Sequence, residues 1–386
     1  MTANPPSAED CLRVASERRE ELYDRAAATE AAGRLPEDLA ESLSAEGFYG
    51  LWAPSDVGGA EAPAADAMRV IETLAEGDAS VAWCVFIGIT STLPLSSLSE
   101  SARREIFASP RARLAGVFEP SGTAEPCDGG FRISGTWAFG SGSWNADWIG
   151  VGTMVPGETS GPRYAFLRRA DVELLETWDV IGLCGTGSTH FRAQDVFVPQ
   201  EHTLPLLDPG QIDTPLYRFS RFTMLGMSLG AIALGLARAS LSTFATLAAD
   251  PAPRPLAARK EVQMSVGKEE TRLRAARALF YSSIDDAWKT ACAGEAPSVD
   301  QRTEIRIATC NAVETCCEVT EALFRLGGSR SLYRSSPLQR HLRDAQAMAQ
   351  HLMARPKFLG VAGRRSLGTS GSSGTTGRHR DPPSTR

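Results

Sequence analysis

Residues 178–199 read WDVIGLCGTGSTHFRAQDVFVP, and the residues after the glycines decide the fold. A glycine-rich string that cradles a dinucleotide leaves a strand and opens a helix, so that amides at the helix N-terminus meet the pyrophosphate. Here GLCGTG (Gly182 to Gly187) runs instead into Thr189 to Val198, which continues as strand. The glycines make a turn between strands. No NAD(P)H site is encoded there, so a reductant has to arrive from elsewhere.

The same texture extends to both sides. GGFRISGTWAF, WIGVGTMV and RYAFLRR alternate or run apolar in short pieces split by Gly and Pro, which predicts a small barrel or pair of sheets from about Leu114 to Pro205. Residues from Ala8 to about Arg104 read as helices. LPEDLAESLSAEGFYGLW has helical apolar spacing and closes at Gly47 before an extended segment; Ala65 to Ala75 and Ser80 to Ile89 flank a turn at Glu76-Gly77-Asp78. From about Tyr217 helices return in long pieces, ending near Leu367, and the apolar-poor GTSGSSGTTGRHRDPPSTR reads as disordered. The expected organisation is α+β and multidomain: a helical domain over 1–110, a β-domain over 111–212, a helical bundle over 213–367 and a tail over 368–386.

Lys and Arg total 40 against 46 Asp and Glu, a formal charge of −6, with no basic cluster dense enough for phosphate backbones, so no nucleic-acid partner is expected. The N-terminus lacks the basic start and apolar run of a signal peptide. The longest apolar stretch, Met227 to Ala237, is too short to span a bilayer. The expectation is a cytoplasmic protein with no membrane partner. Eight cysteines form no C-x-x-C pair and read as reduced thiols. Five histidines (His190, His202, His341, His351, His379) form no H-x-x-x-H or H-E-x-x-H pattern, so no metal site is expected.

Three segments together resemble the acyl-CoA dehydrogenase superfamily over nearly the whole chain except the tail. They are Phe118-Glu119-Pro120 with the later RISGTWAFGSG and Asp147-Trp148, the Trp178 to Pro199 stretch, and LFRLGGSRSLYRSSPLQRHLRDAQAMAQH (Leu323 to His351). The resemblance implies an N-terminal helical domain, a central β-barrel or sheet domain, a C-terminal four-helix bundle, and a flavin walled by Phe118, Glu119, Phe139 and Gly142. Dehydrogenases of the family use a carboxylate base shortly after an Arg-Asp-Ala stretch. Arg343-Asp344-Ala345 is followed by QAMAQHLMARP, with no carboxylate before the tail. YRSSPLQRHLRDAQAMAQH resembles the two-component flavin-dependent monooxygenases, which take reduced FMN or FAD from a separate NAD(P)H:flavin reductase and pass one oxygen of O2 to a substrate.

That branch implies particular residues. Ser141 matches the hydroxyl facing the flavin ring nitrogen, where a fixed donor slows wasteful loss of hydrogen peroxide; its plain reading is a cap on a Gly-rich turn. His351 lies near the substrate in the family. Helical spacing puts Leu338, Leu342, Ala345, Ala349 and Leu352 on one core stripe and His351 off it beside Asp344 and Met348, so it either deprotonates the substrate or donates a hydrogen bond to the distal oxygen. Trp83, in the apolar SVAWCVFIGITS, floors the substrate and flavin cavity or simply packs. Aromatic hydroxylases of the branch carry a His about two turns later; here the region reads Gly88-Ile89-Thr90-Ser91, which argues against a simple phenol substrate.

Gly327-Gly328-Ser329 matches the turn whose amides approach the flavin phosphate, often across a subunit interface. PAPRPLAARKEVQ keeps Arg254, Arg259 and Gln263 of an FAD-holding segment but lacks its Phe-Gly, which tilts the expectation towards FMN with FAD allowed. Cys184 replaces a usual Arg. The implied function is C- or N-hydroxylation of a small metabolite by a homotetramer or homodimer in secondary metabolism, the substrate aromatic, polyketide-like or an amine. The alternatives are an acyl-CoA dehydrogenase with a displaced base and a flavin-free binding subunit.

Overall fold

Ser7 opens the first helix with a reciprocal cap: its hydroxyl accepts from Asp10 N, and the Asp10 carboxylate accepts from Ser7 N. The computed structural model describes residues 6–157, 161–250, 255–355 and 358–369. Helix α1 (Ala8–Ala32) ends at Gly33, whose φ of +63° is the left-handed cap that favours glycine. Helix α2 (Glu37–Ala45) follows. The extended segment expected after Gly47 is instead a tight turn at Phe48–Gly50, because Phe48 and Tyr49 turn inward and are buried.

Helices α3 (Ala64–Gly77) and α4 (Ala79–Thr92) meet at Asp78, whose carboxylate accepts from Ser80 N at 2.7 Å and caps α4. Nearly every residue of α4 is buried, since it lies between α3, the later α6 and the sheet. Short α5 (Glu100–Ile106) leads into the strands.

The central β-domain expected for the middle of the chain is present as one seven-stranded sheet rather than a pair, and among the described residues its strands run in the order β5-β6-β2-β1-β3-β4-β7. The strands are β1 (Leu114–Cys127), β2 (Gly130–Trp137), β3 (Trp148–Met154), β4 (Arg163–Arg168), β5 (Glu173–Leu175), β6 (His190–Pro199) and β7 (Thr203–Pro205). β1 and β3 pair in parallel and the other neighbours antiparallel. Along β3 and β4, Ile149, Val151, Ala165 and Leu167 enter one apolar cluster while Trp148, Tyr164 and Phe166 enter another. Successive residues face opposite sides of a strand, so this sheet is covered on both faces. The glycine turn does precede strand β6, but its upstream limb, Trp178 to Gly182, is irregular rather than strand.

The bundle consists of α6 (Arg221–Ala249), α7 (Lys260–Cys292), α8 (Val299–Gly327) and α9 (Pro337–Met348), with α10 (Leu359–Ser366) beyond it. α6 and the segment Ala79–Ser97 are long and apolar enough to cross a bilayer, yet 89% and 94% of them is buried, so they are core helices. α6 presses so closely on α3 that a side-chain carbon on Gly235 would lie 2.1 Å from the Glu72 carbonyl oxygen. One apolar cluster therefore joins Leu22, Trp52 and Phe86 of the N-terminal helices to Phe244, Phe280 and Val319 of the bundle. Beyond Thr369 the tail lies outside the described residues.

Candidate active site

β2 ends at Trp137, and the chain reverses through Phe139 (φ +62°) and Gly142 (φ +72°). Gly140 N donates to Thr189 O at 2.8 Å and Gly142 N to Thr186 O at 3.2 Å, lacing this turn to the one before β6. Only glycine fits at 140, where an added carbon would lie 2.6 Å from the Phe191 ring. Ser141 is buried between the two turns. Trp83 Nε1 donates to its hydroxyl at 3.0 Å, and Ser188 Oγ lies 2.5 Å away. Ser188 Oγ is 2.7 Å from Thr186 Oγ1, which donates to Leu183 O at 2.7 Å. Ser141 is thus engaged by side chains distant in sequence, not by capping its own turn.

His351 does not lie on a helix. α9 stops at Met348, and its buried residues are Leu338, Arg340, His341, Asp344, Ala345 and Met348, whereas Leu342 and Ala349 are half-buried and Leu352 is exposed. The five-residue stripe expected from spacing is corrected accordingly. His351 instead caps a short turn at Leu352–Ala354, its Nδ1 accepting from Met353 N at 3.2 Å. With Nδ1 accepting, the neutral ring carries its proton on Nε2. Burial, reinforced by the Arg306 cation, lowers the imidazole pKa to about 4. The ring meets Trp83 edge-on, centroids 5.7 Å apart. Ser141, Trp83 and His351 therefore stand in a row, with Trp83 between the other two. Arg306 steadies this turn by donating to Met353 O and Phe222 O.

The Arg-Asp pair of α9 clamps the glycine turn. Arg343 Nη1 donates to Ile181 O, and Leu183 N, in a left-handed residue at φ +53°, donates to Asp344 at 2.6 Å. Burial, with Asp78 nearby, raises the Asp344 carboxyl to about 7. A raised folded-state pKa means that proton uptake favours the fold, so stability falls as pH rises from the unfolded value towards 7. Asp344→Asn keeps an acceptor for Leu183 N and removes that titration. Its melting temperature relative to wild type should climb between pH 5 and 7 and level off above, as thermal denaturation across that range would show.

The other anticipated residues are dispersed. β1 breaks register between Val117 and Gly122, leaving Phe118 and Glu119 outside the ladder to β3. Phe118 stacks on Tyr164 at 4.9 Å and lies 6.0 Å from Phe222, while Glu119 is exposed. Phe139 is 67% exposed, edge-on to Trp178 and His190. Met348 is wholly buried in the core. Gly327 and Gly328 end α8, with Gly328 at φ +56° and open space around it; Gly327 abuts Leu338 near the start of α9. Twelve residues at 1.5 Å each put the end that leads to His351 about 18 Å away. Gln263 is exposed and donates to Ala257 O; Arg254 lies outside the described residues. Cys184 is half-buried against Val180 O, and burial raises its pKa; nothing in the structure explains why it replaces an arginine.

A planar, polar-edged ring fits what is here: a buried hydroxyl with room for one more hydrogen bond, an uncovered aromatic face and strand backbone free of its ladder. A cavity of about 260 Å³ borders the Phe222 side, lined also by Leu93, Tyr217, Phe219, Arg221 and Met224. Among the described residues no three His, Cys, Asp or Glu side chains gather to hold a metal. The residues missed by sequence reasoning are Ser188 and Thr186. Their signal was hydroxyls alternating with glycine in GTGS.

Residues 13–108 match the family "Acyl-CoA dehydrogenase, N-terminal domain" and residues 227–356 match "Acyl-CoA dehydrogenase, C-terminal domain". Indole-3-acetate monooxygenase of Pseudomonas putida is 34% identical over 329 residues, 82% of this chain and 83% of the relative. The enzyme of that name from Acinetobacter baumannii is 30% identical over 90% of this chain and 92% of its own. The crystal structure of the HsaA monooxygenase from M. tuberculosis superposes with a TM-score of 0.86 at 25% identity, covering 94% of this chain and 98% of the other. HsaA of Mycobacterium tuberculosis is named the oxygenase subunit of a flavin-dependent monooxygenase.

The chain belongs to the acyl-CoA dehydrogenase superfamily. Within it, the protein is a flavin-dependent monooxygenase, an oxidoreductase that uses reduced flavin and dioxygen to hydroxylate a small molecule. The implied reductase is a separate protein, as the naming of relatives as oxygenase subunits indicates.

Proposed function

We propose that this protein hydroxylates a small indole-type aromatic in the cytoplasm, at a site built on Ser141, Trp83 and His351. The observation that carries the assignment is their juxtaposition: Trp83 bonds Ser141 on one side and packs against His351 on the other. Reduced flavin, when bound, supplies the electrons that activate dioxygen. Phe118, Glu119, Phe139, Ser141 and Gly142 would hold the ring. His351 holds a proton at Nε2, ready to hydrogen-bond the oxygen being transferred. Trp83 closes the site on the substrate side and excludes water, while the Met348 side chain lies in the core.

Gly327 and Gly328 suit a phosphate, as Arg254 and Gln263 suit the far end of a longer flavin. The two glycines lie a helix length from His351, so their use favours a second copy of the chain, in a homodimer or homotetramer.

The indole class rests on two points. The two relatives described at 30% identity or more are both indole-3-acetate monooxygenases. In addition, α4 offers no carboxylate, histidine or lysine to remove a phenolic proton. An indole ring is made electron-rich by its own nitrogen and needs no such base. Supplied with reduced FMN or FAD, the enzyme should convert indole-3-acetate and indole with most oxygen recovered in product, and resorcinol should yield chiefly hydrogen peroxide. Efficient resorcinol hydroxylation with indoles inert would return the substrate to the phenol class.

A further inference from the structure

A hydroxyl has one proton to donate, so a chain of hydroxyls has a direction. Thr186 directs its proton to Leu183 O, which cannot reciprocate; at 2.7 Å this is shorter than the 3.1 Å bond that the same carbonyl accepts from Thr186 N. Ser188, 2.7 Å from Thr186 Oγ1, must then donate to it, and Ser141, 2.5 Å from Ser188, must donate to Ser188. The other end is equally one-sided, because the Trp83 indole N–H only donates, and it donates to Ser141. The direction runs from Trp83 through Ser141, Ser188 and Thr186 to Leu183. Ser141 is left with no proton to offer and one lone pair. The donor expected from sequence is, in this arrangement, an acceptor.

We propose that Ser188 and Thr186 are positioning residues that fix Ser141 as a hydrogen-bond acceptor, and that this polarity makes the site favour reduced over oxidised flavin. The inference rests on the reading that Ser141 faces the flavin ring nitrogen. That nitrogen bears a proton in reduced flavin and only a lone pair in the oxidised form. An acceptor-only Ser141 therefore gains a hydrogen bond from the first and meets the second lone pair to lone pair. An enzyme that receives reduced flavin from another protein and returns it oxidised thus discriminates between the two at one atom.

The test is anaerobic titration of the intact enzyme with photoreduced FMN, and separately with oxidised FMN, giving the ratio of the two dissociation constants. Ser188→Ala releases the Ser141 proton, which can then turn towards the oxidised ring. Oxidised FMN should bind about tenfold more tightly, the worth of one net hydrogen bond, with reduced FMN nearly unchanged. That is a fall of about 30 mV in the bound midpoint potential. Thr186→Val removes the acceptor that orients Ser188 and should act in the same direction, while Thr186→Ser keeps the wild-type ratio. Structural damage would weaken both forms, so tighter oxidised binding is the distinguishing sign. If Ser141→Ala weakens reduced FMN yet both Ser188→Ala and Thr186→Val leave the ratio within twofold, the polarity proposal is overturned and the placement of Ser141 stands. If Ser141→Ala changes neither constant, Ser141 is not at the ring and both fall.

Discussion

His351→Ala should cut product formation about a hundredfold while reduced flavin still binds and oxygen is still consumed, the electrons appearing as hydrogen peroxide. The imidazole is neutral, its Nδ1 occupied by Met353 N and its pKa held near 4, so its contribution is a proton fixed at Nε2. A positioned donor of this kind typically contributes two to four orders of magnitude. Because its charge does not change between pH 5.5 and 8, the rate should show no inflection near 6.5 attributable to this ring. His351→Asn separates structure from chemistry. Asparagine caps a turn well, so it should hold the Leu352–Ala354 turn and the melting temperature yet lack the reach of the imidazole. Wild-type turnover in His351→Ala would remove this residue from the mechanism.

Ser141→Ala is expected to have the second large effect, on coupling rather than on oxygen uptake. The substitution deletes the atom on which Trp83 Nε1, Ser188 and, in this reading, the ring nitrogen converge. The fraction of electrons ending as hydrogen peroxide should rise towards unity, and product yield should drop about tenfold or more. A buried hydroxyl that accepts from the ring nitrogen would hold that proton in place with no path to solvent; a water admitted by the shorter side chain would supply one. Trp83→Phe keeps the ring that His351 packs against but removes the indole N–H, and should reproduce a milder leak. Peroxide yields equal to wild type in both variants would contradict the role of this serine. The readout is a peroxide assay run beside product quantification.

The α–β–α order was legible because hydrophobic period changes twice along the chain and the strands are short and glycine-bounded. Sheet closure was not legible. Strand texture does not say that β1 runs parallel to β3, nor that β5 and β7 remain as edges. The end of α9 was also misread. QAMAQHLMARP contains no glycine stop, and a histidine is an uncommon cap, so the pattern ran on past Met348 to Leu352. Ser141 and His351 were found through family resemblance, whereas Thr186 was read only as part of a turn and Ser188 was given no role. Their meaning lies in a 2.5 Å approach across 47 positions, which no local pattern encodes. The carboxylate of α9, Asp344, is buried and accepts from Leu183 N.

The two sides of the site have unlike ancestries of constraint. Ser141 is held by two interlaced glycine turns of the sheet, where an added carbon at residue 140 would collide with Phe191 and where Leu183, Thr186 and Ser188 depend on one another. The imidazole stands on a single capped turn just past the end of a helix. Exchange of residues 349–355 leaves the hydrogen bonds around Ser141 in place, whereas exchange of Trp83 in α4 does not, because its indole donates to that hydroxyl. The edge at Ser141 and the turn at His351 can therefore vary separately, with Trp83 the residue common to both.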